Sequence, residues 1–206
     1  MAATPATASE HPATWRFDYE VFHAETLADL RAWLASRHDD APGMWFASWK
    51  AGTGRAAVPY EGLVEELLCW GWIDSTITTL DDERSLQLCT PRRPRSTWTR
   101  LNRERVERMG RAGRMQPAGW AAVEVARENG WWTIYDPVED LVVPDDLRAA
   151  LDAEPAAAAF FDHDVPPSAR KMMLWQVYSA VRPATREKRI ATIVTESAAG
   201  RRAFQG

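Results

Sequence analysis

The 206-residue sequence has little of what marks a membrane or disulfide-rich protein. No run of about 18 uninterrupted apolar residues occurs, so no membrane-spanning helix is predicted. Cys69 and Cys89 are too few for a disulfide framework, although a single bridge between them stays open. The N terminus has neither a basic leader nor an apolar signal segment. These absences predict a cytoplasmic protein in which both thiols are reduced.

Residues that hold metals or cofactors are equally scarce. The four histidines show no paired spacing on a helix, and neither cysteine belongs to a CxxC motif. The glycine patterns of phosphate-binding and dinucleotide-binding loops do not occur, nor does the GxSxG pattern of serine hydrolases. We therefore predict no metal and no cofactor, and the sequence selects no reaction and no catalytic residue.

What the sequence does contain is a cluster of arginines. Residues 90–115 hold nine arginines and two glutamates, a net charge of +7 in a chain of net charge −4, so the remainder carries −11. Such an asymmetry can hold and orient an anion. The acidic remainder would repel a long phosphate backbone, which argues against nucleic acid. A small anionic or amphipathic molecule is the predicted partner.

Apolar periodicity predicts an α+β fold, in which a small antiparallel sheet with flanking helices precedes a helical C-terminal part. The predicted domains are a disordered tail at 1–14, an α+β domain at 15–136, and a helical part at 144–199 packed on it. The α+β domain contains a hairpin formed by WIDSTITTL and RSLQLCT. Its other predicted elements are strands at 15–22 and 43–50 and helices at 25–37, 59–71, 97–112 and 117–129. The C-terminal part is predicted to be three helices, the first interrupted or bent at Pro155.

Helical geometry singles out two polar residues on the arginine-rich helix, for which Ser96 is the predicted N-cap. The apolar face comprises Trp98, Leu101, Val106, Met109 and Ala112. The solvated face opposite carries Arg100, Arg103, Arg111 and Arg114. Asn102 and Arg105 project from the middle of the apolar face.

A guanidinium directed at the core needs a negative or carbonyl partner. Asp74 could pair with Arg105 internally. Alternatively Arg105, Asn102 and the loop residues Arg92 and Arg93 could line a pocket for a carboxylate or phosphate. Trp72 and Trp98 could be its flat walls or simply core residues.

Several stretches resemble the YdeI/OmpD-associated family, also called the bacteriocin-protection family. They are LLCWGWIDS, TPRRPRSTWTRLNRERV and GRMQPAGWAAVEVA, followed by WWTIYD, PDDLRAAL, AAAAFF and RPATREKRI. The resemblance spans roughly residues 25–195 and implies an antiparallel sheet with flanking helices. It also implies a link to envelope stress and to resistance against cationic antimicrobial peptides. The family's recurrent positions match Trp72, Asp74, Pro91, Arg92, Ser96, Trp98, Asn102 and Arg105. Cys89 departs from the pattern, since an aromatic residue is usual there.

Three functions are open at this point. The first is a cytoplasmic stress or resistance protein that binds a small anionic or amphipathic ligand at Trp72, Asp74, Arg92, Arg93, Ser96, Trp98, Asn102 and Arg105. The second is an enzyme of a specialised, natural-product pathway, with Asp74 as general base and the arginines stabilising negative charge. The third is an interaction module that presents arginines to an acidic partner.

Overall fold

The structure is a computed structural model that describes residues 18–204. The predicted tail at 1–14 and the first part of the strand predicted at 15–22 lie outside these residues. The chain forms two compact units. Within the described residues, the first comprises 18–96 with Leu101–Asn129, and the second comprises Thr97–Arg100 with 130–204. The first combines a sheet with helices and the second is helical, which confirms the α+β prediction.

The sheet of the first unit has four strands in the order β1 (Glu20–His23), β2 (Met44–Trp49), β4 (Arg84–Pro91), β3 (Trp72–Thr79). Strands β3 and β4 form the predicted antiparallel hairpin, and β4 is also antiparallel to β2. Strand β1 pairs with β2 in parallel. The sequence predicted antiparallel pairing throughout, but α1 (Leu27–Arg37) connects β1 to β2, and a helical crossover of this kind joins parallel strands.

The main core of the first unit lies between the sheet and two helices. Helix α1 contributes Leu30, Trp33 and Leu34, and α2 (Tyr60–Cys69) contributes Leu63 and Leu67. Alternate strand residues complete this layer, namely Met44, Phe46, Trp72 and Cys89. Residues of the opposite pleat form a second cluster that includes Trp45, Ala47, Leu86 and Leu88. Helices α3 (Arg100–Arg111) and α4 (Pro117–Glu128) follow the hairpin.

The second unit contains five helices within the described residues. They are α5 (Asp136–Glu139), α6 (Asp145–Asp152), α7 (Pro155–Ala159), α8 (Pro167–Tyr178) and α9 (Pro183–Ala198). The predicted interruption at Pro155 is confirmed, because α6 ends before it and Pro155 starts α7. A π-helical turn, Phe160–Asp164, extends α7. The buried core of this unit includes Leu147, Leu151, Phe161, Met173, Leu174 and Ile193.

Candidate anion-binding site

Helix α3 buries the arginine that its periodicity singled out. Arg105 is only 8% exposed, beside the buried residues Val106 and Met109. The predicted apolar face was too wide, because Leu101 is 50% exposed and Ala112 is also exposed. The helix begins at Arg100, three residues later than predicted, and most of its residues are charged. Only its middle turns are buried.

The partner of Arg105 is Glu61 and not Asp74. Arg105 Nε donates to Glu61 Oε1 at 3.0 Å, Nη2 donates to Glu61 Oε2, and Nη1 donates to Asn102 Oδ1 at 2.8 Å. Hydrogen bonding to Glu61 raises the pKa of Arg105, and the same pairing lowers the pKa of Glu61. Arg105 therefore has an internal carboxylate partner, as one of the two hypotheses required, but the acid is Glu61. Glu61 lies in the first turn of α2, which α3 faces.

The same arrangement continues along α2, whose acids neutralise further arginines. Arg108 contacts Glu61 at 2.9 Å and Glu65 at 2.6 Å. Arg114 contacts Glu65 at 3.2 Å and the buried Glu66 at 2.8 Å. The prediction that Arg114 belongs to a solvated face was therefore wrong. Three of the nine arginines at 90–115, namely Arg105, Arg108 and Arg114, are therefore paired with acids of α2.

Arg92 lies in a different environment, a pocket of about 270 Å³ that we call the arginine pocket. The ends of three elements form one side, with His38 and Asp39 after α1, Trp70 and Gly71 after α2, and Trp72 at the start of β3. The remaining lining is the turn at the end of β4 and one face of α4, namely Pro91, Arg92, Arg93, Pro94, Ala118, Ala121, Ala122 and Val125. The pocket is thus mainly apolar, with a positive group at one wall.

The position of Arg92 is fixed by its backbone and its charge is poorly hydrated. Its N–H donates to the carbonyl oxygen of Gly71 at 2.8 Å, which holds the turn against the end of α2. Burial lowers the pKa of Arg92 to about 9, although the nearby carboxylate of Asp74 acts in the opposite direction. The guanidinium therefore stays protonated at neutral pH but is destabilised by its surroundings. For Arg105, in contrast, hydrogen bonding to Glu61 outweighs burial.

Arg93 and Ser96 belong to the same turn, and they have different roles. The Arg93 side chain is exposed and lines the arginine pocket. Ser96 Oγ accepts the Arg93 N–H at 2.9 Å, and the Ser96 N–H donates to the Arg93 carbonyl oxygen at 2.9 Å. The sequence predicted that Ser96 caps α3. Because α3 begins only at Arg100, Ser96 closes this turn instead.

The other predicted site residues lie in separate networks. Asp74 Oδ2 accepts a hydrogen bond from the Tyr60 hydroxyl at 2.8 Å and one from Gln87 Nε2 at 3.3 Å. Asn102 supports Arg105. Trp98 belongs to the second unit, where its ring centroid is 5.0 Å from that of Trp132. Of the eight residues proposed from the sequence, the structure gathers Trp72, Arg92 and Arg93 into the arginine pocket.

Trp72 and two residues not predicted from the sequence, His38 and Trp70, form one wall of the pocket. Trp72 is a core residue, 1% exposed, whose indole N–H donates to the His38 carbonyl oxygen at 3.3 Å. The His38 and Trp70 ring centroids are 4.6 Å apart. His38 Nε2 also lies 3.0 Å from Asp39 Oδ1. No spacing pattern in the sequence connects His38 with Trp70, so only the fold reveals this wall.

Two glycines allow α4 to approach closely enough to form the pocket. Gly71 adopts φ +75°, in the left-handed region, and a Cβ there would lie 2.8 Å from the Ala118 carbonyl oxygen. A Cβ on Gly119 would lie 2.2 Å from the Cys69 carbonyl oxygen. Both contacts are with backbone atoms, so the wall formed by α4 depends on the absence of side chains at these positions.

We expect Gly119→Ala to destabilise the protein by about 3 kcal/mol, the upper part of the usual range for overpacking. Alanine is favoured over glycine in a helix by only about 1 kcal/mol, which cannot offset a clash with backbone. Urea unfolding followed by circular dichroism measures the change. Gly113→Ala is a comparison for strain alone, because Gly113 has φ +67° and open space around its Cα. A Gly119→Ala protein as stable as the parent would contradict the close approach.

Both cysteines are unreactive structural residues. They are free and buried, so the single bridge that the sequence left open is not formed. Burial raises the pKa of Cys69 to about 11 and that of Cys89 well above its ordinary value. Within residues 18–204 no group of three metal-binding side chains comes together, and no helix is long and apolar enough to cross a bilayer.

The fold and the pocket define a protein with one α+β unit, which carries a partly buried arginine in an apolar pocket, and one helical unit. Residues 140–200 match the family described as Bacteriocin-protection, YdeI or OmpD-Associated. The resemblance noted in the sequence is thereby confirmed for the C-terminal part of the chain. Residues 22–122 match a domain of unknown function, DUF8412, and this segment contains every residue of the arginine pocket except Val125. No curated protein and no solved structure matches the chain.

Proposed function

We propose that this protein binds a small amphipathic anion in the arginine pocket and acts as a cytoplasmic protein of stress or antimicrobial resistance. The observation that carries the proposal is the placement of Arg92. A guanidinium that burial has destabilised gains more from a bound carboxylate or phosphate than one in bulk water, because the interaction is less screened by solvent. Arg93, on the same turn, adds a second positive charge at the pocket.

The size and surface of the pocket define the kind of anion. About 270 Å³ is slightly below the usual range for small-molecule sites, about 300–1,000 Å³, so a molecule of one or two rings is suitable. Trp70, Pro91, Ala122 and Val125 provide apolar contacts for its non-polar part. Asp39 also lines the pocket, and its Oδ1 lies 3.0 Å from His38 Nε2. The proposed ligand is therefore an aromatic or short aliphatic acid.

The proposed cellular role rests on the family match. The proposed cytoplasmic location rests on the cysteines. The family that residues 140–200 match is described by bacteriocin protection, which is a form of resistance. Two unpaired thiols are usual in a reducing compartment. No observation favours the enzyme hypothesis, since Asp74 is engaged by Tyr60 and Gln87 and does not line the arginine pocket. The interaction hypothesis loses support because Arg105, Arg108 and Arg114 are paired internally.

Benzoate tests the proposal directly. We expect it to bind the parent protein, with shifts of the Trp70 indole N–H signal in a ¹H–¹⁵N NMR titration. Arg92→Gln should weaken binding by about 10-fold to 100-fold, because a hydrogen bond to a charged group contributes about 1.5–3 kcal/mol. Arg93→Gln should have a smaller effect, since that side chain is exposed.

The matched control is Arg95→Gln, which removes the same charge from an exposed residue outside the pocket lining. It should bind benzoate like the parent protein. Equal weakening by Arg95→Gln would show a general effect of net charge and would contradict a site at Arg92. Unchanged benzoate binding in Arg92→Gln, with the fold intact by circular dichroism, would contradict it as well.

A further inference from the structure

The lining of the arginine pocket contains charges of both signs. Arg92 and Arg93 belong to the turn that follows the hairpin, whereas Asp39 follows α1. A carboxylate among the lining residues repels a simple anion, because like charges in a partly desolvated pocket are poorly screened. The proposed function accounts for the two arginines, but it gives Asp39 no role.

The opposite charges of the pocket do not neutralise each other. The contact that the structure gives the Asp39 carboxylate is with His38, and it involves only Oδ1. Among residues 18–204, no ion pair joins Asp39 to Arg93. The carboxylate that acts on the pKa of Arg92 is that of Asp74, which lies outside the pocket lining. Asp39 Oδ2 and the Arg93 guanidinium can therefore both take a partner from a ligand.

The side of the pocket that carries Asp39 also includes the C-terminal ends of two helices. Asp39 lies two residues after the end of α1, and Trp70 directly follows the end of α2. A helix C terminus carries a partial negative charge, which stabilises a cation near its last turn. This side of the pocket therefore favours a positive group, whereas the turn with Arg92 and Arg93 favours a negative one.

We propose that the ligand of the arginine pocket is a zwitterion, which carries an ammonium group and a carboxylate on one apolar body, as an aromatic or aliphatic amino acid does. The carboxylate pairs with Arg92 and Arg93, and the ammonium group pairs with Asp39 beside the two helix ends. The apolar body contacts Trp70 and Val125. This inference rests on the proposed function, because the pocket and the role of Arg92 are the same, and it narrows the ligand from acids to amino acids.

L-Phenylalanine and 3-phenylpropanoate are the probes, because they differ only in the ammonium group. We expect L-phenylalanine to bind the full-length protein about threefold to fivefold more tightly, the contribution of an exposed ion pair, since the Asp39 side chain is 81% exposed. The Trp70 indole N–H signal in a ¹H–¹⁵N titration measures both dissociation constants. A second pair, 4-(aminomethyl)benzoate and 4-methylbenzoate, tests a longer separation between the two charges of the ligand.

Asp39→Asn should remove the preference for the zwitterion, because it deletes the negative charge and keeps the size of the side chain. The ammonium-free acids should bind this variant at least as tightly as the parent protein, since a repelling charge has been removed. Asp39→Glu, which retains the carboxylate, should retain the preference. The matched control is Asp40→Asn, because Asp40 is the adjacent acid, is also exposed and lies outside the pocket lining. It should bind every probe as the parent protein does.

The zwitterion inference and the proposed function fail in different ways. If the acids bind through Arg92 but the parent protein prefers neither zwitterion to its matched acid, the inference is overturned and the anion site stands. The same holds if the preference survives Asp39→Asn, if Asp39→Asn weakens the acids, or if Asp40→Asn removes the preference equally. If the acids show no binding that depends on Arg92, the proposed function is overturned and this inference with it.

Discussion

Glu66→Gln is expected to reduce the free energy of unfolding by about 2 kcal/mol at pH 7. Glu66 is only 1% exposed and accepts from Arg31 at 2.8 Å, Arg114 at 2.8 Å and Trp70 at 3.3 Å. Removing one member of a buried ion pair usually costs about 3–5 kcal/mol. The cost is smaller here because the Arg31 side chain is 51% exposed and can be hydrated. Urea unfolding measures the difference.

The effect should depend on pH in a defined direction. Burial raises the pKa of Glu66, but hydrogen bonds from Arg31 and Arg114 outweigh burial, so its pKa is below the ordinary 4.5. A carboxyl whose pKa is lowered on folding contributes stability above its unfolded pKa, and this contribution disappears as pH falls through the folded pKa. The stabilities of the parent protein and Glu66→Gln should therefore converge below about pH 4.5.

Glu124→Gln is the control for the change of charge, since Glu124 is exposed and forms no ion pair among the described residues. It should unfold like the parent protein at every pH. The geometry indicates that the buried pairing of Glu66 stabilises the fold. A difference in the free energy of unfolding between the parent and Glu66→Gln that stays constant from pH 7 to pH 3.5 would contradict this.

The pair formed by Glu61 and Arg105 should respond asymmetrically to mutation. Glu61→Met leaves the buried Arg105 guanidinium without its carboxylate and is expected to cost about 2–3 kcal/mol. Arg105→Met should cost about 1 kcal/mol, because the Glu61 side chain is 51% exposed and retains Arg108 at 2.9 Å. The double variant should be close to Arg105→Met alone, since no buried charge is left uncompensated.

The same variants separate structure from ligand binding. If Arg105 has only a structural role, Arg105→Met should bind benzoate as the parent protein does. Only the urea concentration at the midpoint of unfolding should then change. Loss of benzoate binding in a stably folded Arg105→Met protein would restore the original hypothesis that this arginine contacts the ligand. Equal costs for the two single variants would contradict the burial difference on which the asymmetry depends.

Local periodicity predicted most of the first unit. The hairpin and α1, α2 and α4 were expected from apolar spacing and from proline and glycine positions, because these signals act over a few residues. Burial of Arg105 was predicted for the same reason, since it depends on helical geometry alone. The start of α3 was misplaced, because Ser96 forms a turn with Arg93, and a serine can stabilise a turn as well as a helix end.

Partnerships between distant segments could not be predicted. The acids of α2 and the arginines of α3 are about 44 residues apart in the case of Glu61 and Arg105, and nothing in the spacing assigns one to the other. Asp74 was an equally reasonable partner in the sequence, and the packing of α2 against α3 excluded it. The parallel pairing of β1 with β2 was likewise missed, because strand order depends on the whole sheet.

The sequence by itself determined that this chain is α+β, that an arginine is turned inward on α3, and that positive charge is concentrated before and along that helix. Only the tertiary structure decided which arginine has a built-in acid and which is held in an apolar pocket. The physical reason is that helix and strand patterns reflect each residue's near neighbours, whereas desolvation and ion pairing depend on groups brought together from α1, α2, β4 and α4.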